Sequence, residues 1–161
     1  MNIYFAGPMF AKADLLYNEY LVGKIREIDS SISVYLPQEN GAINDKTAYA
    51  DSQMIALADT ERVLNSDLLV AVLDGAVIDS GVASEIGIAY AKGIPIIGLY
   101  TDTRQQGADN QKKLDALNDT AENQFHYLNL YTVGLVKLNG TIVNTDEDFL
   151  SLIKQATLEK N

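Results

Sequence analysis

An unbroken apolar segment in the middle of the chain constrains the fold more than any other feature. Residues 67–73 read Asp-Leu-Leu-Val-Ala-Val-Leu, with no polar residue after the first. A strand with this composition is covered on both faces, which is typical of a parallel sheet packed between helices. The segment therefore predicts the central strand of an α/β protein.

Shorter strands and amphipathic helices alternate on both sides of this strand. The sequence pattern predicts strands at 2–6, 33–36, 94–99 and 135–138 and a turn at Asn139 and Gly140. It predicts helices at 12–28, 48–64, 81–92, 111–117 and 146–158. This alternation predicts a single domain over residues 1–161, a doubly wound, flavodoxin-like sheet of five parallel strands with helices on both faces. Ligands of such sheets bind beyond the carboxyl ends of the strands.

Composition excludes several classes of function. The 22 Asp and Glu residues outnumber the 12 Lys and Arg residues, and a net charge of −10 repels both nucleic acid polymers and anionic membrane surfaces. The chain has no Cys and only one His, His126, which argues against zinc sites and Cys nucleophiles. We therefore expect no metal and a structural or exposed His126.

The loop at Gly7 and Pro8 matches no phosphate-binding motif, and no cofactor is expected. The absence of cysteine and of a signal-peptide pattern indicates the cytoplasm.

The segment from Asp74 to Gly87 is the densest source of candidate catalytic groups. Glu85 falls in the early turns of a predicted helix, where the helix dipole favours an ionised carboxylate, the form that a nucleophile requires. Gly81 leaves room for a substrate beside it. An alternative interpretation makes Asp79 and Glu85 ordinary acids of a helix start. Asp59 as a solvated surface acid and Tyr4 as a core aromatic are the corresponding structural interpretations.

Several separated segments, taken in order, resemble one family. They are Ile-Tyr-Phe-Ala-Gly-Pro at 3–8, Asp59, the Ser66-Asp67 pair before the central strand, Asp79 six residues before Glu85-Ile-Gly87, and Leu-Asn-Leu-Tyr-Thr-Val-Gly at 128–134. This combination is similar to that of the nucleoside 2-deoxyribosyltransferases, and the resemblance extends over nearly the whole chain.

The resemblance implies a role for each matching residue. Glu85 would be the nucleophile, Tyr4 would orient it, and Asp59 and Asp79 would bind and protonate the departing base. The residues expected to contact the substrate are Phe5, Gly7, Phe10, Gly81, Asn129 and Tyr131, with the loop 38–40 as a further candidate for the base pocket. The partners implied are a deoxyribonucleoside, a free nucleobase and further copies of the chain, as dimers or a hexamer built from dimers, with Asn129 completing a neighbour's site.

The expected activity is transfer of 2-deoxyribose between purine or pyrimidine bases, with retention, in nucleoside salvage. One alternative is an N-glycoside hydrolase of 2′-deoxynucleoside 5′-monophosphates that uses the same glutamate. The chain's negative charge disfavours a phosphorylated substrate. The other alternative is a nucleoside or nucleotide sensor that keeps the pocket without turnover.

Overall fold

The computed structural model describes residues 1–41, 49–105 and 109–160. The strands are β1 (Asn2–Ala6), β2 (Ser33–Tyr35), β3 (Leu68–Val72), β4 (Ile96–Leu99) and β5 (Gly140–Val143). The helices are α1 (Lys12–Ile28), α2 (Ser52–Leu64), α3 (Ser80–Lys92), α4 (Gln111–Asp115), α5 (Leu130–Leu138) and α6 (Asp146–Lys160), with short 3-10 helices at Pro37–Glu39 and Ala116–Asn118.

The five strands form one parallel sheet in the order β2-β1-β3-β4-β5. All five residues of β3 are buried, as its apolar sequence predicts for the central strand. In register, Tyr4 of β1 lies between Tyr35 of β2 and Leu69 of β3. The prediction of a doubly wound, flavodoxin-like sheet is confirmed, and the carboxyl ends of β1, β2 and β3 lie next to one another.

Alternation along β1 divides the core into two layers. Ile3 and Phe5 pack with α1 and α6 on one face of the sheet, whereas Tyr4 and Ala6 pack with α2, α3 and α5 on the other. Successive side chains of a strand point to opposite faces, so this division follows from the sequence Ile-Tyr-Phe-Ala. Both faces are covered by helices, as predicted.

The predicted strand at 135–138 is wrong, and the turn at Asn139 and Gly140 with it. Residues 135–138 are the last residues of helix α5, Asn139 follows the helix, and the last strand begins at Gly140. Asn129 starts α5 because its side chain accepts hydrogen bonds from the amides of Tyr131 and Thr132. Position 140, the first of β5, requires glycine because a Cβ there would lie 1.7 Å from a backbone oxygen of β4.

Two further helix ends are set by their capping residues. Helix α2 starts after Asp51, whose carboxylate accepts from the amide of Met54. The predicted start near residue 48 lies outside the described residues, but Asp51, which the prediction places within the helix, caps it instead. Helix α3 ends at Gly93, which has the left-handed backbone conformation (φ 76°) that favours glycine. Among the described helices, none has both the length and the apolar character needed to cross a bilayer.

Candidate active site

Helix α3 brings Glu85 onto the carboxyl-end region of the sheet. Asp79 starts the helix, and its Oδ1 accepts from the amides of Gly81 at 2.8 Å and Val82 at 3.2 Å. Further along the helix, Glu85 reaches back over β1, where the hydroxyl of the fully buried Tyr4 donates to its Oε1 at 2.6 Å. A bond this short between a phenol and a carboxylate is charge-assisted and fixes the direction of the carboxylate.

Burial sets the ionisation of Glu85. Its pKa is raised from 4.5 to about 7, chiefly by loss of solvent; the charges of Asp59 and Asp79 act in the same direction, and the hydrogen bond from Tyr4 acts in the opposite one. The expectation that the start of the helix would favour the ionised form of Glu85 is therefore wrong, because burial and the neighbouring carboxylates raise its pKa. Asp79 already occupies the free amides of the first turn, and Glu85 lies beyond them.

Asp59 belongs to a cluster that continues from Tyr4 across β2. The ring of Tyr35 lies 5.4 Å from that of Tyr4, and its hydroxyl donates to Asp59 at 3.4 Å. Asn40 donates to the same hydroxyl at 3.0 Å, and the guanidinium of Arg62 lies 5.0 Å from the centre of the Tyr35 ring. Burial raises the pKa of Asp59, which increases its protonated fraction and suits a proton donor.

A cleft of about 770 Å³ opens beside this cluster, and we call it the acidic cleft. It is bounded by the β1–α1 loop, the first turns of α1 and the loop between β3 and α3, with three carboxylates, Asp14, Asp74 and Asp79, in its lining. Among the described residues that line it, none is Lys or Arg. Asp79 connects the cleft to the Glu85 cluster, whereas Tyr4, Asp59 and Glu85 do not line it.

The predicted binding residues near β1 have different positions. Phe10 is 83% exposed and lines the acidic cleft. Gly7 lies against Asn18, since a Cβ at Gly7 would be 2.7 Å from the Asn18 Oδ1 atom. Gly81 is exposed in the first turn of α3. Phe5 is fully buried on the sheet face opposite to Tyr4 and does not line the cleft.

Asn129 and Tyr131 lie at the start of α5 rather than in the Glu85 cluster. Asn129 uses Oδ1 to cap the helix, and Nδ2 has no partner among the described residues. Tyr131 is 77% exposed and its neighbour Leu130 is 82% exposed. The structure thus places this segment on the surface, with an amide donor and two apolar side chains facing outward.

The loop at 38–40 is engaged within the chain. Gln38 bonds to the Asn18 side chain and to the Leu15 carbonyl, and Glu39 forms an ion pair with Arg26 at 2.7 Å. Asn40 contacts Tyr35, as described above. The base-pocket role expected for this loop stays a prediction.

Sequence reasoning missed Tyr35 and assigned no specific role to Asp74, although both organise the site. Tyr35 joins Tyr4 to Asp59, and the available signal was an aromatic residue at the carboxyl end of a predicted strand. Asp74 follows β3 and accepts from the amide of Thr101 at 2.7 Å, from its hydroxyl at 2.6 Å and from the amide of Asp102 at 3.1 Å. It ties together the loops that follow β3 and β4. Within the described residues, no group of three or more acidic or His side chains is arranged to hold a metal ion.

Comparison with known proteins identifies the family. The family model described as "Nucleoside 2-deoxyribosyltransferase" matches residues 3–127. None of the curated protein sequences matches the chain. A crystal structure of a conserved protein from Enterococcus faecalis V583 is 73% identical with a TM-score of 0.91, covering 96% of this chain and 98% of that one.

Two more distant structures share the fold at 18% identity. The 2-desoxiribosyltransferase from Leishmania mexicana has a TM-score of 0.64 and covers 96% of this chain and 97% of its own. The CMP N-glycosidase from Clostridium botulinum has a TM-score of 0.52 and covers 96% of this chain and 98% of its own. The sheet, the carboxylate cluster and the match over most of the sequence lead to one conclusion: the chain belongs to the nucleoside 2-deoxyribosyltransferase family.

Proposed function

We propose that this protein transfers 2-deoxyribose from a deoxynucleoside to a free purine or pyrimidine base, with Glu85 as the nucleophile. The observation that carries the proposal is the 2.6 Å hydrogen bond from the buried Tyr4 hydroxyl to Glu85, next to Asp59 and Asp79. Oriented carboxylates beside a sugar are the machinery of retaining glycosyl transfer, which passes through an oxocarbenium-like state.

The first half-reaction forms an ester. The ionised Glu85 attacks C1′ of the sugar, the C1′–N bond breaks, and its electron pair goes to the departing base. Asp59, whose pKa burial raises, supplies the proton that neutralises the base. Asp79, at the edge of the acidic cleft, is the second candidate donor. Because burial raises the pKa of Glu85 to about 7, both its ionised form and its protonated form are present in the free enzyme near neutral pH.

The second half-reaction reverses these bond changes with a new base. A ring nitrogen of the acceptor attacks C1′, the ester bond breaks, and its electron pair returns to Glu85. The acceptor's proton goes to the carboxylate that protonated the first base. Two inversions at C1′ give overall retention. Tyr4 keeps its proton throughout, because burial and the Glu85 charge raise the pKa of its phenol far above the ordinary value.

The charge of the cleft favours a nucleoside over a nucleotide. Asp14, Asp74 and Asp79 line it, and none of its described lining residues is Lys or Arg. A 5′-phosphate placed there would meet like charges at short range without a compensating cation. This argument supports transfer between nucleosides over hydrolysis of a nucleoside monophosphate, the alternative suggested by the CMP N-glycosidase of similar fold. The clustered reactive groups favour an enzyme over a sensor.

We also propose that the active form is a homo-oligomer in which Asn129 of one copy binds the sugar 5′-hydroxyl in the site of another. Support comes from the outward-facing Nδ2 of Asn129 and the exposed Leu130 and Tyr131 beside it. Apolar side chains clustered on a surface are typical of interfaces. A covering partner would also keep water from the glycosyl ester.

A complementation assay tests this shared site. Glu85→Gln homo-oligomers should be inactive, and Asn129→Ala homo-oligomers should keep at most a tenth of the wild-type activity. A mixed dimer rebuilds one intact site, so an equimolar reassembled mixture should recover about a quarter of the wild-type activity. No recovery, with mixed dimers verified by native mass spectrometry, would contradict the shared site while leaving the chemistry of Glu85 in place.

In the cell this exchange would serve nucleoside salvage. We place it in the cytoplasm because the chain contains no Cys, which suits a reducing compartment.

One incubation separates the transferase from its alternatives. The protein is mixed with deoxyadenosine and a free acceptor base, and the products are separated by liquid chromatography. Exchanged nucleoside supports transfer, free deoxyribose alone supports hydrolysis, and neither product supports a sensor. Deoxyadenosine monophosphate in a parallel incubation should give no release of adenine.

The covalent step has its own test. A 2-fluoro-arabinosyl nucleoside should leave an adduct that mass spectrometry assigns to Glu85 and that is absent from Glu85→Gln. Exchange activity without an adduct on this residue would refute the proposed nucleophile.

A further inference from the structure

A second cavity, of about 690 Å³, lies beyond the carboxyl ends of β4 and β5, and we call it the β4–β5 cavity. None of its described lining residues also lines the acidic cleft. Its volume lies in the range of pockets that hold small molecules. Its walls come from β5, α5 and the segment before α5, with a body of apolar side chains, Leu114, Leu117, Phe125, Leu128, Val133 and Ile142.

Two buried polar atoms of the residues lining this cavity have no hydrogen-bond partner among the described residues. They are the hydroxyl of Tyr100, a residue only 7% exposed, and Nε2 of His126. The two rings lie 6.2 Å apart. A buried polar atom without a partner is uncommon because it loses its bonds to water without replacement. Two of them on neighbouring residues that line one cavity indicate that a polar ligand group binds beside this ring pair.

The charges around the cavity identify the kind of group. Although the chain carries a net charge of −10, none of the described lining residues is Asp or Glu, and the nearby carboxylate of Asp102, which interacts with Tyr100 and His126, is paired with Arg104. Lys137 lies in the lining and is exposed to solvent. A phenol hydroxyl and an ammonium are donors, and the imidazole Nε2 is a donor when it carries the proton. They call for an acceptor that carries negative charge, the opposite of what the acidic cleft tolerates.

We infer that the β4–β5 cavity binds a small carboxylic acid with an aromatic or other bulky apolar body. The carboxylate accepts hydrogen bonds from the Tyr100 hydroxyl and from His126 Nε2, which donates when it carries the proton, and Lys137 balances the charge. The body packs against the apolar wall, which includes Leu114 and Phe125. None of Tyr4, Asp59, Asp79 and Glu85 lines this cavity, so the inference does not depend on the proposed reaction.

Calorimetric titration of the whole protein tests the site, with 2-naphthylacetate as the probe and its primary amide as the uncharged match. We expect saturable binding of the acid and at least tenfold weaker binding of the amide. Tyr100→Phe removes one hydroxyl and Lys137→Gln removes the charge, and each should weaken the acid by about tenfold. Lys154→Gln, an exposed site on α6, should leave binding unchanged, and circular dichroism should show that every variant is folded.

Binding of the acid by Glu85→Gln with wild-type affinity would separate this cavity from the catalytic cluster. The inference is overturned if the acid does not bind saturably, as when water satisfies both atoms or another copy covers the cavity. Equal affinities for acid and amide, or a Tyr100→Phe variant that binds like the wild type, would also overturn it.

Discussion

Removal of the Tyr4 hydroxyl is the most direct perturbation of the proposed nucleophile. Tyr4→Phe keeps the fully buried ring and deletes the donor that lies 2.6 Å from Glu85 Oε1. A hydrogen bond to a charged group contributes about 1.5–3 kcal/mol, and one pKa unit corresponds to about 1.4 kcal/mol. Because the bond stabilises the ionised carboxylate, its loss should raise the pKa of Glu85 from about 7 by about one to two units.

This change has a defined kinetic signature. The acid limb of the kcat/KM profile should move to higher pH by the same amount, and ionisation alone should lower activity at pH 7 by about 5- to 50-fold. Much of that loss should return near pH 9. Tyr20→Phe, which removes a hydroxyl from a half-exposed ring on α1, is the matched control and should keep the wild-type profile. An acid limb that stays in place, or moves to lower pH, would refute the link between this bond and the ionisation of Glu85.

Three further changes test other parts of the structure. Folding raises the pKa of Glu85 from 4.5 to about 7, so between these pH values the native state binds a proton that the unfolded state has released. The contribution of protonated Glu85 to stability is therefore complete below pH 4.5 and is lost as the pH rises through 7. Glu85→Gln should abolish exchange and unfold in urea with up to about 3 kcal/mol more stability than the wild type at pH 8 but not at pH 4; an unchanged pH slope would contradict the assigned burial. Asn129→Ala and Asn110→Ala each remove a helix cap and should cost about 1 kcal/mol in thermal melts, whereas only Asn129→Ala should also lower kcat/KM by tenfold or more. Gly140→Ala forces a Cβ into the neighbouring strand and should lower the Tm steeply, while Gly134→Ala, with open space on α5, should raise stability by about 0.5–1 kcal/mol; Tm changes of the same sign would contradict the packing at β5.

The sheet was predictable because its signals are local. The apolar run ending at Leu73 identifies a doubly covered strand without any tertiary information, and Gly93 marks the end of α3 through its backbone conformation. Helix α5 was not predictable in the same way. Its sequence, Leu-Tyr-Thr-Val-Gly-Leu-Val-Lys-Leu, is apolar nearly throughout and shows no polar face, so periodicity cannot distinguish a helix from a strand. The deciding group is Asn129, whose capping bonds depend on the helix it starts.

The candidate site, too, was predictable only where its signals are local. Helix position placed Glu85 correctly near the carboxyl ends of the strands, but the sign of its pKa change depends on burial under neighbouring elements, which a helix-dipole argument omits. The role of Tyr35 is likewise a tertiary property. Its contacts with Tyr4 and Asp59 require β2 to pair with β1 and α2 to pack over both, so no local pattern contains them.

In the proposed mechanism, the alternation of side chains along β1 gives one strand a part in both the core and the active site. Tyr4 supplies the donor for Glu85 on one side of the sheet, and Phe5, its immediate neighbour, fills the core on the other. A one-residue slip of this strand would bury a phenol among aliphatic side chains and direct a benzene ring at the carboxylate. Chains misfolded in this way would lack the proposed activity. The turnover measured per mole of protein therefore also reports the fraction of molecules whose first strand is in the correct register.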